Sequence, residues 1–429
     1  MYITIDQTDY TAIKNLSFSP SADLAGVSIP SNELQVDVIT DDEFGLSDTV
    51  ELYDNLDQLW ATYHITHVGR VDADTIRIKA QDDIAMLDRI TLPAVYHNSV
   101  LVPDLLDDTI ITESGGVSAP WPYYLDPSFN NAVIHGFFPE QSARERLLWV
   151  CFTIGAYVKT CFNDQIEILA LDDTPATIPI ADTYWKPTIN YKDPVTSIRV
   201  KEYDFAQGTP GATDKYVTDE NGVVYIVTET ETILYNSDAP AGALANEVTI
   251  EGVYTVNADN AAALLTRLAG WYFNRTEVDF EAIDNRSYLP GDKVIMYADE
   301  DKMLTGYIDS ASFSFGLQAK ARLHLTGGAD VEAAKLIVTC TWNGVQVDKR
   351  EYLLPVGYEY SIANRYIDMT MDGHRYILRP TAAAVTGTMV AGGVSVTQEY
   401  AEALDLRDGV LRITNVDEIT VENGTGAIS

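Results

Sequence analysis

The chain has 429 residues, of which 64 are acidic and 28 are basic, so its formal net charge is −36. Such an acidic chain is unsuited to holding a nucleic-acid backbone, because that affinity comes from cationic side chains that release counterions. The length allows three or four domains, and three cysteines are too few for a disulfide framework, which favours folding in a reducing cytoplasm.

Residues 1–92 are predicted to form a first β-barrel of short antiparallel strands. The stretch 33–39 places Leu34, Val36 and Val38 on one face, and such period-two alternation is typical of a half-buried strand. The chain starts on a strand-like sequence without a basic leader, so no targeting segment is expected. No apolar run is long enough to cross a bilayer.

Residues 93–187 are predicted to be an α+β insertion. Ser142 and Glu145 have the spacing of a capping box, in which the serine accepts from the N3 main-chain N–H and the glutamate reaches back to the serine N–H. The helix that follows carries Leu147 on its buried face, and Gly155 is predicted to end it.

Residues 188–328 are predicted to form a second β-barrel that contains one helix. Asn257 has the side chain of a helix cap, and the apolar spacing after it predicts a helix over 258–273. Three or four short strands separated by Gly and Asp turns are predicted to follow this helix and to complete the barrel.

Two stretches, Leu46–Asp83 and Leu289–Gly327, share one pattern of apolar positions and turns. The correspondence predicts two related barrels in one chain, and a chance match between two antiparallel meanders is the alternative. The residues that anchor it, and that are candidates for a structural or interface role, are Val50, Tyr53, Val294 and Tyr297.

The end of the chain is predicted to be a separate small unit. Residues 329–334 begin after a glycine pair and are predicted to be a flexible link. Residues 335–400 are predicted to fold as a small C-terminal β domain, and residues 401–429 as one strand, 410–414, with a polar tail.

The sequence shows little chemistry. His64 and His67 lie three apart in a predicted strand, so their side chains should face opposite ways and make a poor zinc pair. No nucleophile elbow, phosphate loop or metalloprotease motif is present, so no catalytic residue, cofactor or metal site is predicted. The many acidic residues leave a hydrolase pair of carboxylates open as an alternative, although unpatterned acids are typical of a solvated surface.

Four aromatic residues lie in the irregular part of the insertion, and two roles are open for them. They are either a carbohydrate platform or, as we favour, the anchors that pin a long loop to its own domain. These residues are Trp121, Tyr123, Tyr124 and Phe129.

Together these patterns predict an α+β protein dominated by antiparallel strands. Two related β-barrels are expected, with the α+β insertion between them and the small β domain at the C-terminal end.

Part of the insertion resembles a recurring stretch of tail-tip or baseplate hub proteins from phages and prophages of Gram-positive hosts. The similar segments are 134–147 (IHGFFPEQSARERL), 154–158 (IGAYV) and 166–168 (IEI). The order of domains over residues 1–328 is also similar to that of these hubs. The resemblance implies a homotrimer, in which two barrels per subunit form a pseudo-sixfold ring that docks on a hexameric tail tube.

The small C-terminal domain resembles the mucin-binding-type β repeats of bacterial surface proteins. The similar segments are 354–358 (LPVGY), 366–368 (YID), 373–376 (GHRY) and 387–400 (GTMVAGGVSVTQEY). Only one copy is present, and a plain Ig-like or β-grasp spacer is the alternative. The resemblance implies contact with a host surface through 335–400.

The expected function is therefore that of a structural, non-enzymatic hub in a phage tail, assembled in the host cytoplasm. Expected partners are further copies of the chain, the tail tube or distal tail protein, and other tail-tip or baseplate proteins. DNA is expected to pass through the ring without specific binding, along a lumen poor in Lys and Arg. A tail-associated cell-wall hydrolase and a bacterial surface adhesin are the alternatives.

Overall fold

The computed structural model describes residues 2–46, 48–53, 57–111, 122–160, 165–178, 187–283, 288–299, 302–315 and 320–331, and beyond these the backbone of eight strands between Ala333 and Asn423. Most of these residues lie in antiparallel strands and few lie in helices. The prediction of a mainly antiparallel β protein is therefore confirmed.

The N-terminal region is a set of seven strands, and burial alternates with period two along several of them. In the fourth strand Leu34, Val36 and Val38 are at most 1% exposed, as their alternation predicts. The strands are β1 (Tyr2–Ile5), β2 (Thr8–Tyr10), β3 (Ile13–Ser19), β4 (Glu33–Ile39), β5 (Thr49–Tyr53), β6 (Leu59–Arg70) and β7 (Thr75–Gln81).

The α+β insertion follows β7 and has its own apolar core around one long helix. Its elements are α1 (Asp83–Leu87), β8 (Thr91–Leu92), β9 (Val95–Leu101), α2 (Val102–Leu106) with a π-helical turn (Asp107–Ile111), β10 (Tyr123–Leu125), a 3-10 turn (Pro127–Phe129), β11 (Val133–Phe138), β12 (Gln141–Ser142), α3 (Ala143–Ile154), β13 (Tyr157–Lys159), β14 (Ile166–Leu169) and β15 (Ala176–Ile178).

The predicted capping box at the start of α3 is confirmed. The Ser142 side chain accepts from Glu145 N at 3.2 Å, and the Glu145 carboxylate accepts from Ser142 N at 3.1 Å. Gly155 ends the helix at a φ of 83°, a left-handed conformation that glycine adopts without steric cost.

The third region contains a helix and the remaining strands up to residue 331. Its elements are β16 (Thr188–Tyr191), β17 (Ser197–Gln207), β18 (Tyr216–Thr218), β19 (Val224–Tyr235), β20 (Glu247–Ile250), α4 (Ala261–Tyr272), β21 (Thr276–Ile283), β22 (Lys293–Asp299), β23 (Lys302–Phe315) and β24 (Lys320–Val331).

Helix α4 begins three residues later than predicted. The Asn257 side chain accepts from Asp259 N at 3.0 Å, which makes a local turn, and Asn260 is the residue that precedes the first turn of the helix. The difference arises because an Asn side chain that bonds to a nearby main-chain N–H favours a turn as readily as a cap.

Strands of the first and third regions, together with β15 of the insertion, form one thirteen-stranded sheet. Its order is β16-β21-β24-β23-β3-β4-β7-β6-β5-β1-β2, and β22 pairs with both β23 and β15. We call β1–β7 the first half-sheet, and β15, β16 and β21–β24 the second half-sheet. Both halves contribute to one apolar core, in which Phe18 stacks on Phe313 with ring centroids 4.8 Å apart.

The two half-sheets repeat one strand order. The first runs β3-β4-β7-β6-β5-β1 and the second runs β16-β21-β24-β23-β22-β15, in the same chain order. The outermost pair differs, because β1 is antiparallel to β5 whereas β15 is parallel to β22. The predicted correspondence is thus confirmed in strand order and direction for the two meanders, and closure of each half into a barrel stays a prediction.

The repeat extends to the register of single residues. Val50 lies opposite Tyr63, and Val294 lies opposite Gly306. Both meanders then contain a β-bulge two residues later, after Ile65 in β6 and after Ile308 in β23. A bulge moves every later side chain of the strand to the opposite face of the sheet. A bulge at the same position in both meanders is therefore stronger support for a duplication than apolar spacing alone.

Two ion pairs occupy counterpart positions across the next strand pair. Arg77 Nε of β7 lies 2.7 Å from the Asp37 carboxylate in β4, and Arg322 Nε of β24 lies 2.9 Å from Glu281 in β21. Asp37 and Glu281 are therefore counterparts, which aligns β4 with β21 residue by residue. Because β3 pairs with β4 and β16 pairs with β21, the same alignment relates β3 to β16.

The middle of the third region does not join the main sheet. Strands β17–β20 form a separate four-stranded sheet in the order β18-β19-β17-β20, whereas the prediction placed all of 188–328 in the second barrel. Aromatic contacts attach this sheet to the insertion, with the ring centroids of Tyr96 and Tyr225 at 4.4 Å and those of Phe137 and Phe205 at 6.0 Å. The sequence lacked a signal for this division, because strands of both sheets alternate with the same period.

Two further sheets lie in the C-terminal part. The strands are β25 (Ala333–Trp342), β26 (Val345–Pro355), β27 (Glu359–Ala363), β28 (Tyr366–Met371), β29 (His374–Leu378), β30 (Val385–Val390), β31 (Gly393–Gln398) and β32 (Glu418–Asn423). They pair in the orders β26-β25-β32-β31-β30 and β27-β28-β29.

This part differs from the prediction at both ends. Residues 329–331 continue β24 and pair with β23, so they are strand where a link was predicted. Strand β32 lies between β25 and β31, so the C-terminal sheet extends beyond the predicted boundary at residue 400. The predicted strand 410–414 lies outside the described residues.

A buried carboxylate joins the first half-sheet to the insertion. Asp82 is 1% exposed and accepts hydrogen bonds from Ser31 Oγ at 2.9 Å, Asn32 N at 3.0 Å and Thr160 Oγ1 at 2.5 Å. Burial disfavours the charged form and outweighs these bonds, so it raises the pKa of Asp82 to about 6.

We expect Asp82→Asn to remove a pH dependence of stability. The folded protein keeps this carboxyl protonated up to a pH of about 6, whereas the unfolded chain ionises it near 3.8. The folded state therefore binds the extra proton, and the free energy of unfolding of the unsubstituted protein falls by about 3 kcal/mol as pH rises through this window. Urea unfolding across the window measures it.

The matched control for this prediction is Asp41→Asn, which removes one carboxylate at an exposed position. It should keep the slope of the unsubstituted protein. If Asp82→Asn keeps that slope as well, the carboxyl does not carry the effect.

Candidate assembly surface

The four residues singled out by the repeat occupy different environments. Val50 and Val294 are 0% exposed and hold counterpart positions in the common core. Their side chains are inaccessible from the surface of the single chain, so they pack the two half-sheets.

The two tyrosines lie on counterpart strands, and Tyr53 is the last residue of β5. The Tyr53 ring stacks on Tyr2 with centroids 5.1 Å apart, and its hydroxyl donates to Glu51 at 2.8 Å. The backbone of Tyr297 lies opposite Met303, and its side chain lies outside the described residues. An interface role for these tyrosines stays a prediction.

His64 and His67, which were predicted to make a poor zinc pair, belong to no cluster of possible metal ligands in the part of the chain that the structure describes. His64 Nε2 lies 2.7 Å from Asp83 Oδ1, and a bulge separates His64 from His67. Within the described ranges no three His, Cys, Asp or Glu side chains converge as metal ligands. Within the same ranges no helix is long and apolar enough to cross a membrane.

Two of the four aromatic residues of the insertion contact their own domain, which is the interpretation that we favour for the set. The Tyr123 hydroxyl donates to Asp107 at 2.6 Å, and Phe129 packs against the insertion core. Tyr124 is 41% exposed, and Trp121 lies outside the described residues.

One face of the second half-sheet is polar and forms a groove of about 580 Å³. A smaller groove of about 230 Å³ lies on the counterpart face of the first half-sheet. Side chains that line the larger groove include Ser19, Thr188, Asp279, Glu281, Ser312 and Arg322. Both half-sheets therefore present one apolar face to the core and one polar face to solvent.

A histidine at the end of this groove is surrounded by carboxylates. His324 Nδ1 lies 2.6 Å from Asp309 Oδ1, and its Nε2 lies 3.8 Å from Glu277 Oε1. The bond to Asp309 raises the pKa of His324 above its ordinary value, because it favours the imidazolium form. Glu277 also pairs with Lys192, which follows β16.

The main sheet ends in strands that have neighbours on one side. Within the described ranges β16 pairs with β21 alone, and Tyr191 at its end is 64% exposed. Edge strands with free main-chain N–H and C=O groups are the places where another chain adds to a sheet. Sequence reasoning missed this edge, because the four residues of β16 carry no special motif.

Comparison with known proteins identifies the fold. No protein-family model matches the sequence, and no curated protein matches it significantly. A tail protein from Neisseria meningitidis MC58 is similar in structure, with a TM-score of 0.54 at 11% identity over 76% of this chain and 95% of that chain.

Two further structures of tail proteins are similar. For the 43 kDa tail protein of prophage MuSo2 from Shewanella oneidensis the TM-score is 0.51 at 11% identity, over 76% of this chain and 96% of that chain. For prophage tail protein gp18 from Listeria monocytogenes EGD-e the values are 0.49 and 12%, over 76% and 94%. At such identities the first two likenesses show a shared fold.

Proposed function

We propose that this chain is a structural hub protein of a phage tail tip or baseplate, that it resides in the virion, and that it is not an enzyme. The observation that carries the proposal is the fold, which is similar to that of two tail proteins, one of them from a prophage, over about 95% of their own length. A role in the tail accounts for a chain built from two related half-sheets.

The hub is proposed to be a homotrimer. Each chain carries two half-sheets with the same strand order, so three chains would present six similar units around one axis. Six units match the symmetry of a hexameric tail tube. The proposed partners are therefore further copies of the chain, the tail tube or distal tail protein, and other tail-tip or baseplate proteins.

DNA is proposed to pass through the ring without specific binding. Carboxylates that line a channel repel phosphates and keep the DNA on the axis. A net charge of −36 per chain provides the acidic side chains for such a lining. On the polar faces of the half-sheets, Arg77 is paired with Asp37 and Arg322 with Glu281, so these two cations are already neutralised by carboxylates.

The C-terminal sheets are proposed to point away from the tube, toward the host surface. This rests on the resemblance of 335–400 to mucin-binding-type repeats, and a Gram-positive host and assembly in its cytoplasm are proposed on similar grounds.

Light scattering on the purified full-length chain tests the assembly. We expect a mass of three times 47.3 kDa. The chains should associate into the trimer more tightly at about 1 M than at about 0.15 M salt, since salt screens the repulsion between acidic chains. A monomer under both conditions contradicts the ring, and clearing of purified cell wall by the chain would favour a hydrolase.

Electron microscopy of the assembled ring tests the channel. The expected lumen is lined by acidic and neutral side chains. A lumen rich in Lys and Arg, with the carboxylates confined to the outside, contradicts the proposed passage of DNA.

A further inference from the structure

Within one chain, the edge of β3 is covered by the second half-sheet. Phe313 of β23 lies opposite Phe18 of β3. The contact continues beyond the strand, where Ala311 N donates to Pro20 O at 3.0 Å. This pairing of β3 with β23 connects the first half-sheet to the second half-sheet within the thirteen-stranded sheet.

Strand β16 is the counterpart of β3 in the second half-sheet, yet its edge is open. Phe18 lies opposite Leu34 in β4, and Ile189 lies opposite Val278 in β21. Leu34 and Val278 are themselves counterparts, since each lies three residues before the carboxylate of the repeated ion pair. Ile189 therefore holds the position of Phe18, and within the described ranges nothing pairs with its outer side.

The main-chain groups of β16 are directed for such a pairing. Lys192 N donates to Arg275 O at 2.8 Å, on the side of β21. Main-chain groups alternate along a strand, so those of Ile189 and Tyr191 face the opposite, outer side. The exposed Tyr191 ring lies on this edge.

The complementary open edge lies on β6, the counterpart of β23. Pairing of β5 with β6 ends where Thr49 lies opposite His64. From there to Arg70 the same side of β6 has no partner strand among the described residues. Arg70 is the counterpart of Phe313, because Arg70 lies seven residues after Tyr63, which faces Val50, and Phe313 lies seven residues after Gly306, which faces Val294. Val71, next to Arg70, is 49% exposed.

We propose that β16 of one copy pairs antiparallel with the open edge of β6 in a second copy. This pairing repeats between chains the junction that β3 and β23 make within a chain. The register places Ile189 opposite Arg70, with Val68 N donating to Tyr191 O, as Ala311 N donates to Pro20 O. The inference rests on the proposed self-assembly and names the surface that performs it.

The proposed contact is heterologous, because each chain offers two different edges. Such contacts close into a ring when the rotation between neighbours divides a full turn. Every chain then uses both edges, and the sheet becomes continuous from copy to copy with no exposed edge left at β16.

A disulfide between two chains, each with one introduced cysteine, tests the register. The full-length chain carries Cys161→Ser and Cys340→Ser, while the buried Cys151 stays. We expect chains with Arg70→Cys, mixed with chains with Ile189→Cys, to form disulfide-linked dimers under mild oxidation, since facing residues in antiparallel strands have Cα atoms about 4.5–5.5 Å apart, a separation that a disulfide can span. Either variant alone, or Arg70→Cys mixed with Asp9→Cys on β2, should give few.

A second variant tests the main-chain bonds. Tyr191→Pro removes an outward N–H and leaves the bonds to β21 in place. We expect it to weaken self-association by about tenfold or more, as the loss of one or two main-chain bonds implies, with an unchanged circular dichroism spectrum. Tyr191→Thr keeps the N–H and should associate more tightly than the proline variant.

The outcomes separate this inference from the proposed function. An oligomer that forms no Arg70–Ile189 link and tolerates Tyr191→Pro overturns the strand pairing and leaves a hub with another interface. A chain that is monomeric at every concentration overturns both.

Discussion

Gly136→Ala is expected to destabilise the protein by about 2–6 kcal/mol, the combined cost of a strained backbone and an overpacked contact. Gly136 has a φ of 150°, and a Cβ there would lie 2.4 Å from Tyr254 O and 2.8 Å from Thr255 Cα. Both atoms belong to the backbone, so no side-chain rotation relieves the clash.

The substitution acts where the insertion meets the four-stranded sheet. Phe137 N donates to Tyr254 O at 3.3 Å, and the Phe137 ring packs among the aromatic residues of this contact. We expect the urea midpoint to fall and the near-ultraviolet circular dichroism of the aromatic cluster to weaken, because its two sides move apart.

The control for Gly136→Ala is Gly270→Ala. Gly270 lies inside α4, and a Cβ there meets nothing within 4 Å. Alanine is the better helix former, so this variant should gain about 0.5–1 kcal/mol. An unchanged urea midpoint for Gly136→Ala contradicts the close contact.

Phe313→Ala is expected to cost about 3–5 kcal/mol and to loosen the junction between the two half-sheets. Phe313 is 1% exposed, stacks on Phe18 with centroids 4.8 Å apart, and lies 6.5 Å from the Trp60 ring. The cavity would open where β23 pairs with β3. Urea unfolding followed by tryptophan fluorescence measures the loss.

The matched control is Tyr235→Ala, at an aromatic residue that is 72% exposed. It should change the free energy of unfolding by less than about 0.5 kcal/mol. Equal effects of the two substitutions would show that Phe313 does not anchor the junction. Phe313→Leu, which refills most of the volume, should recover much of the loss.

The sequence by itself determined the local features of this protein. The capping box of α3 is readable because its two partners lie three residues apart, and both bonds form. The two meanders are readable because one apolar face alternates with one polar face. That alternation even predicted the counterpart positions of Val50 and Val294, which are both buried in the common core.

Only the tertiary structure decided which strands meet. Alternation marks a strand as half-buried, but it carries no information on which edges pair, since main-chain N–H and C=O groups are the same in every residue. The separation of β17–β20 from the main sheet, the place of β32 between β25 and β31, and the open edge of β16 are all of this kind. The raised pKa of Asp82 was also decided by the tertiary structure, because segments distant in the chain bury this carboxylate and remove it from water.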